Sequence, residues 1–314
     1  MSAPGENAGS DSLRFSPSAV HPSPSTHHPV WTIGTLLNWT ARYLGQQGSE
    51  FPRLDTEVLL AHALGCRRID LYTRYEEPAG EDLRNRFREL VRRRVAGCPV
   101  AYLVGRKEFF SLEFEVSPAV LIPRPDSELV VTECLTRARP IASPRIIDIG
   151  VGSGNLAVSL AKQLPSAQVA AVDISGDALA VARRNAEKHG VAQRISFLQS
   201  DLFAGIPTDA RFDFIVSNPP YISQAELPKL PIGVRDYEPR LALDGGPDGY
   251  AVFERLISEG LRHLEPGGWL IVEIGSPQHE PARERIGALP GYDLAPTVYD
   301  YSGHPRVLVA RRKA

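Results

Sequence analysis

Three short runs of this chain carry residue types that could do chemistry. The first is Asp148-Ile149-Gly150-Val151-Gly152-Ser153-Gly154. Its pattern is G-x-G-x-G followed by Asn155 and Leu156, so it departs from the full G-x-G-x-x-G. Glycines there let a ligand approach the backbone, and a helix starting behind them offers free N–H groups. Such a run also serves as a plain tight turn. The second is Asp173, nineteen residues after Gly154, at the end of the next apolar run. An acid at that place can accept both hydroxyls of a ribose; equally, it can cap a helix starting near Ser175. Loop and acid together point to an adenosine-type ligand, without separating a dinucleotide from S-adenosylmethionine. The third run is Ser217-Asn218-Pro219-Pro220-Tyr221, directly after an apolar stretch over residues 212–216. Two consecutive prolines are stiff and lack N–H donors, so they hold carbonyls in fixed directions. The Asn218 amide oxygen and the Pro219 carbonyl can accept both hydrogens of an –NH2 group, and the Tyr221 ring can pack on its planar substituent. The bland alternative is a proline turn ending a strand.

The elements that must position these runs alternate in type. Short apolar strands are expected over residues 145–149, 168–173, 195–198, 212–217, 269–274 and 306–310, with a Gly267-Gly268 turn before the fifth. Helices are expected over 155–164, 178–189 and 252–264. This order implies a mostly parallel sheet with helices on both faces, and ligands then bind outside the carboxyl ends of its strands. Upstream, residues 31–105 read as helical. Trp31, Leu36, Leu37 and Trp39 open an apolar pattern with Thr35 as N-cap, and residues 56–64 form a second helix with Val58, Leu59 and Leu60 inward and Gly65 as its stop. A third runs over 82–95, where Leu83, Phe87, Leu90, Val91 and Val95 recur at helical spacing. Its other face carries Arg84, Arg86, Arg88, Arg92, Arg93 and Arg94, a solvated face or a docking surface for an acidic or RNA-rich partner. Residues 109–116 partly alternate and read as a β-hairpin; Pro118, Pro123 and Pro125 then impose irregular or extended backbone. Residues 1–30 hold seven Ser and five Pro with no apolar period, the composition of a disordered tail.

Composition bounds the rest. The 314 residues suggest two domains, and 35 Lys+Arg against 37 Asp+Glu gives a net charge of −2. That balance speaks against holding nucleic acid by bulk charge. Three cysteines are too few and scattered for a disulfide framework or a zinc site, which suits a reduced, cytoplasmic protein. No apolar run approaches the length that spans a bilayer, and no basic-then-apolar secretory signal is visible at the N-terminus. His189 and His263 stand near helix C-termini, where binding carbonyls is the expected job.

The three runs in this order resemble class I S-adenosylmethionine-dependent methyltransferases that modify a planar amide or amino nitrogen. The closer resemblance is to the release-factor glutamine methyltransferases, the PrmC/HemK family, over about residues 31–314. It is carried by Leu54-Asp55-Thr56-Glu57-Val58-Leu59-Leu60-Ala61, by Pro99-Val100-Ala101-Tyr102-Leu103-Val104-Gly105 and by Glu108-Phe109-Phe110. It continues through Val116-Ser117-Pro118 and Leu121-Ile122-Pro123-Arg124-Pro125-Asp126-Ser127-Glu128. This last phrase is the specific one, since general amino-methyltransferases share only Asn-Pro-Pro-Tyr.

The resemblance implies an α/β fold: a Rossmann-like class I methyltransferase sheet with a small N-terminal helical domain joined by a β-hairpin. The division would be a tail over 1–30, a substrate-recognition domain over 31–105, a hairpin linker over 106–122 and the methyltransferase domain over 123–314. Gly150, Val151, Gly152, Ser153 and Gly154 would wrap the methionine part of S-adenosylmethionine and Asp173 would hold its ribose. Leu202, with Phe203 beside it, would flank the adenine, and Asp201 would either accept from the adenine amino group or cap a helix. Asn218, Pro219, Pro220 and Tyr221 would hold the substrate glutamine, with Asn218, Pro219 and Tyr221 catalytic, Asn218 also near the cofactor, and no metal. The expected partner is a peptide chain release factor, methylated by a cytoplasmic monomer on the glutamine of a Gly-Gly-Gln loop, with neither membrane nor nucleic-acid substrate. A DNA or RNA amino-methyltransferase, a ribosomal-protein glutamine methyltransferase and a non-catalytic partner of translation are the alternatives.

Overall fold

The computed structural model describes residues 31–314, so the proposed tail over 1–30 lies outside the described residues. The chain divides into two compact units, with the division after Val104.

The first unit is helical: α1 (Ile33–Gln46), α2 (Pro52–Leu64), α3 (Asp70–Thr73), α4 (Glu81–Val95) and α5 (Val100–Val104). Thr32, not Thr35, caps α1. Its hydroxyl accepts from the Thr35 N–H, and the Thr35 hydroxyl accepts from the Thr32 N–H at 2.7 Å. The pair is a reciprocal capping box, which places Thr35 three residues inside the helix. Helix α2 starts at Pro52, four residues earlier than its apolar pattern, because proline's fixed φ and missing N–H suit the first helical position. Gly65 ends it at φ 68, in the left-handed region. On α4 the buried stripe is Leu83, Phe87 and Val91, while Val95 in its last turn is exposed. The arginine-rich face is engaged locally. Arg92 pairs with Glu89, Arg88 donates to Asn85, and Arg94 reaches Asp55 on α2 at 2.8 Å. Short helices α3 and α5 escaped the periodicity, being barely one turn each.

The second unit begins with a two-stranded antiparallel hairpin, β1 (Arg106–Phe109) and β2 (Leu112–Glu115). Phe109 faces Leu112, so the turn is Phe110-Ser111, with φ of 49 and 59. Two residues at positive φ match the twist of a tight hairpin, although neither is glycine. Residues 116–124, with Pro118 and Pro123, are irregular as their prolines require. Pro125 opens a single 3-10 turn over Pro125–Ser127 that runs into a helix the pattern did not predict, α6 (Glu128–Ala138).

Strands β3 (Arg145–Ile149), β4 (Gln168–Asp173), β5 (Ile195–Gln199), β6 (Phe212–Ser217) and β7 (Leu264–Glu273) alternate with α7 (Asn155–Gln163), α8 (Gly176–Lys188), the short α9 (Ile232–Arg235) and α10 (Ala251–His263). Helix α11 (His279–Gly287) and strands β8 (Tyr292–Leu294), β9 (Val298–Tyr299) and β10 (Pro305–Arg312) end the chain. The eight-stranded sheet has the order β5-β4-β3-β6-β7-β10-β8, with β9 on β10. Its first five strands are parallel and β10 is antiparallel. Strand β7 starts five residues before the expected Trp269, because a bulge against β6 absorbs the Gly267-Gly268 pair. Ile146 and Ile147 face opposite clusters of buried residues, one on each side of the sheet. Burying both faces is what makes β3 a continuous apolar run.

Strand β3 has β4 on one side and β6 on the other. The chain therefore leaves β3 at the point where strand order reverses, and a crevice opens beyond the strand ends there.

Candidate active site

The glycine loop leaves β3 with its backbone pinned. The N–H groups of Gly150 and Val151 both donate to the Val172 carbonyl, at 2.8 and 2.9 Å. Gly154 takes φ 83 at the start of α7, and an added Cβ there would lie 3.2 Å from Ala182 on α8. Helix-to-helix closeness requires glycine at that position. An added Cβ at Gly150 would meet no protein atom within 4 Å, so the space above that residue is open.

Asp173 ends β4 beside this loop. One carboxylate oxygen accepts from the Gly152 N–H and the other from the Ser175 N–H, both at 2.9 Å. Its pKa is raised, chiefly by burial, with those N–H bonds pulling it back. It does not cap α8; the Ser175 hydroxyl does, accepting from the Ala178 N–H. Asp173 therefore fixes the loop and keeps lone pairs for a ligand.

Asp148 stands one layer deeper. It is fully buried, one oxygen accepts from the Ala157 N–H at 3.0 Å, and the other has no partner. Burial pushes its carboxyl up to about 7. An orphaned buried oxygen beneath a glycine loop is unusual in a native fold.

On the opposite wall, β6 ends at Ser217, whose hydroxyl donates to the Ile149 carbonyl at 2.6 Å and locks the two strand ends together. Asn218 follows. Its Nδ2 donates to Ser127 Oγ at 3.0 Å, and that hydroxyl donates to Glu273 Oε2 at 2.5 Å. Anchoring the amide nitrogen turns the amide oxygen away from Ser127. Ser127 and Glu273 are both buried. Burial pushes the Glu273 carboxyl up to about 7, against the hydrogen bond from Ser127. Beyond the prolines, the Tyr221 carbonyl accepts from Gln278 Nε2 at 3.0 Å, and Ile222 pairs with Leu243 and Gly245. Burial pushes the Tyr221 phenol up to about 12, so it stays neutral.

These walls enclose a cavity of about 240 Å³. Gly150, Val151, Gly152, Ser153, Asp173, Asp201, Leu202, Asn218, Pro219 and Pro220 all line it. Gly154 does not; it serves the packing of α7 on α8. Tyr221 lines a second cavity of about 110 Å³, which shares Leu121, Arg124, Asn218 and Ala242 with the first. Asn218 thus stands at the border of two compartments. Leu202 and Phe203 part company. Leu202, at φ 46, faces the larger cavity, whereas Phe203 stacks on His263 within the core. The Asp201 carboxylate caps no helix and is bound by Arg255 of α10 at 3.0 and 3.1 Å.

Four residues without a role in the sequence reading support the site. Ser127 and Glu273 hold Asn218. Asn185 on α8 accepts from the Glu115 N–H at 2.7 Å and donates to the carbonyls of Glu115 and Ser153, tying hairpin and glycine loop to one buried amide. Arg124, lining both cavities, pairs with the buried Glu238 at 2.5 Å. Only the run Pro123-Arg124-Pro125-Asp126-Ser127 signalled any of them, since single polar residues in separate elements carry no local period.

The strand order, the glycine loop behind β3, the acid ending β4 and the Asn-Pro-Pro-Tyr run ending β6 define a class I S-adenosylmethionine-dependent methyltransferase fold. Residues 35–105 match the family model for the PrmC N-terminal domain, and residues 126–230 match that for the methyltransferase small domain. The release factor glutamine methyltransferase of Rhodopirellula baltica is 46% identical over 282 residues, covering 88% of this chain and 95% of its own. The enzyme of the same name from Geobacter sulfurreducens is 48% identical, covering 90% and 97%. Among solved structures, a ribosomal protein L11 methylase from Lactobacillus delbrueckii is 22% identical with a TM-score of 0.47, covering 63% of this chain and 84% of its own. The chain belongs to the release factor glutamine methyltransferase family.

The residues present fit S-adenosylmethionine. Open space over Gly150, a carboxylate on the loop for two hydroxyls and an apolar wall at Leu202 suit a ligand with ribose and aromatic parts. Among the described residues no cluster could hold a metal ion, and no helix is long and apolar enough to cross a membrane.

Proposed function

We propose that this chain transfers a methyl group from S-adenosylmethionine to the side-chain amide N5 of the glutamine in the Gly-Gly-Gln loop of peptide chain release factors. The observation that carries this reading is Asn218. Its anchored nitrogen leaves an amide oxygen to accept at the border between a nucleoside-sized cavity and a smaller second one.

S-adenosylmethionine, when bound, supplies a methyl group on a sulfonium that is electrophilic without further activation. The loop over residues 150–153 holds its methionine end through backbone groups, Asp173 accepts from its ribose, and Leu202 packs on its adenine with Asp201 at the rim. The glutamine sits where the two cavities meet at Asn218, with Tyr221 on the smaller side and the two prolines on the larger. Its nitrogen is a poor nucleophile, because the lone pair is delocalised into the carbonyl. Asn218 Oδ1 and the Pro219 carbonyl accept one N–H each, which raises electron density on the nitrogen and fixes its direction. Pro220 stiffens that geometry and the Tyr221 ring packs on the planar amide. Orientation of two reactants at about 3–3.5 Å contributes many kcal/mol, so no strong base is required.

The helical unit over residues 31–105 recognises the body of the release factor, the hairpin segment over 106–122 links it, and residues 123–314 carry the chemistry. The chain acts as a monomer, and a release factor substrate supports the cytoplasm. The test is incubation with labelled S-adenosylmethionine and purified release factors, followed by peptide mapping. Label on the glutamine of Gly-Gly-Gln is expected; label on nucleic acid or on another residue overturns the reading.

A further inference from the structure

We propose that Ser127 and Glu273 are positioning residues that set the polarity of the Asn218 amide, so that its oxygen and not its nitrogen faces the substrate. This rests on the reading of Asn218 as the acceptor for the glutamine amide.

The argument is one of donors and acceptors. An Asn side chain has an acceptor at one end and two donors at the other, and a flip of the amide exchanges them at almost no steric cost. A flipped Asn218 would present N–H groups to the N–H groups of a glutamine, two donors face to face. Something must forbid the flip. Above about pH 7, where the Glu273 carboxyl is ionised, it can only accept, and the Ser127 hydroxyl then donates to it across 2.5 Å. The Ser127 oxygen then has only lone pairs to offer Asn218, and it takes the Nδ2–H at 3.0 Å. The chain of bonds runs in one direction, from Asn218 through Ser127 to Glu273. All three residues sit on different elements: the end of β6, the turn before α6 and the last residue of β7. With Ser127 1% and Glu273 3% exposed, no bulk water competes for these bonds. Ser127 and Asn218 both donate toward the buried Glu273 carboxylate, and Arg306 attracts it, which offsets part of the cost of burying a charge there. Aligning the amide gives it a task, and supporting shells of this kind hold reacting groups within their productive geometry.

The test uses the full-length chain and the variants Ser127→Ala, Ser127→Thr and Glu273→Gln, each checked by a thermal melt. Hydrogen exchange at the Asn218 side-chain amide, assigned by its loss in Asn218→Ala, is read by NMR. One Nδ2 proton should be protected in the wild type, unprotected in Ser127→Ala and less protected in Glu273→Gln, whose neutral amide no longer dictates direction. In single-turnover methylation of a release factor, Ser127→Ala should be slower by about 10- to 100-fold, with partial rescue in Ser127→Thr. At saturating S-adenosylmethionine the loss of methylation rate should exceed any loss of S-adenosylhomocysteine affinity, because Ser127 lines the larger cavity while its bond goes to Asn218. A Ser127→Ala variant that methylates at the wild-type rate, or unchanged exchange at Asn218, overturns the inference. A wild type that shows the protected proton yet methylates no release factor overturns the functional reading and leaves the relay standing.

Discussion

Asn218 makes one hydrogen bond through its nitrogen and presents its oxygen to the crevice, so its two ends carry separate duties. Asn218→Ala removes the acceptor and also strips Ser127 of its incoming donor. By comparison with loss of one preorganised hydrogen-bond partner, turnover should fall roughly 100- to 1,000-fold. Tyr221→Phe should be mild and Tyr221→Ala severe, because the ring face does the packing. Single-turnover rates beside thermal melts check this: a well-folded Asn218→Ala at the wild-type rate would reduce the run to a proline turn. Asp173 carries a different load. Its carboxylate grips the Gly152 and Ser175 N–H groups before any ligand arrives. Asp173→Ala should therefore weaken S-adenosylhomocysteine binding by about 1.5–3 kcal/mol for the charged hydrogen bonds alone. Calorimetric titration gives the number, and an unchanged affinity would remove Asp173 from the site.

At the scale of elements, the hairpin repays inspection. Phe110 and Ser111 both sit at positive φ, where an L-residue loses roughly 1–2 kcal/mol. Phe110 is held there by its N–H bond to Glu128 at 2.9 Å. Ser111 is exposed and has no comparable compensation in its side chain. Ser111→Gly should thus raise stability by about 0.5–1 kcal/mol, after the greater entropy of an unfolded glycine is set against the relieved strain. Urea unfolding measures it. A destabilised variant would mean that the Ser111 side chain restrains the turn in some other way. The hairpin's anchoring through Asn185 to Glu115 and Ser153 joins this element to the glycine loop, so its rigidity bears on the cofactor side of the crevice.

For the whole molecule, acid–base linkage runs against the common trend. Asp148 and Glu273 are both pushed up to about 7 by burial, and Asp173 is raised too. Between about pH 4.5 and 7 the folded chain holds protons on Asp148 and Glu273 that the unfolded chain has released. Stability contributed by a raised carboxyl is whole below its unfolded pKa and is lost as pH climbs to its folded pKa. The urea midpoint should accordingly be lower at about pH 8 than at about pH 5.5, and Asp148→Asn should narrow the difference. An equal difference in the variant would show that Asp148 titrates normally. Residues 1–30 enter at this scale only through their composition. Deleting them should leave methylation unchanged within a few-fold, as the family models begin at residue 35. A larger loss would assign the tail a part in substrate capture.

Contiguous residues specify the local pieces. A glycine run needs particular backbone angles, an apolar run of five or six residues needs burial on both faces, and Gly65 or Pro52 marks a helix end by its own stereochemistry. Contiguous signals of that kind survive without any partner, which is why the three chemical runs and the strands of the parallel sheet were legible. The elements that were not legible include the short helices α3, α5 and α9, the helices α6 and α11, and the short strands β8 and β9, which pair only with β10. The tertiary structure alone decided which runs meet. Placing β3 between β4 and β6 sets residues 150–153, 173 and 218 around one crevice. It also decided that Leu202 and not Phe203 faces the cavity, and that Arg255 binds Asp201. Ser127, Asn218 and Glu273 are 91 and 146 residues apart along the pairs they form, and hydrogen bonds over such separations exist only once the sheet has closed. No local propensity encodes them, because a hydroxyl, an amide and a carboxylate acquire direction only from what stands opposite.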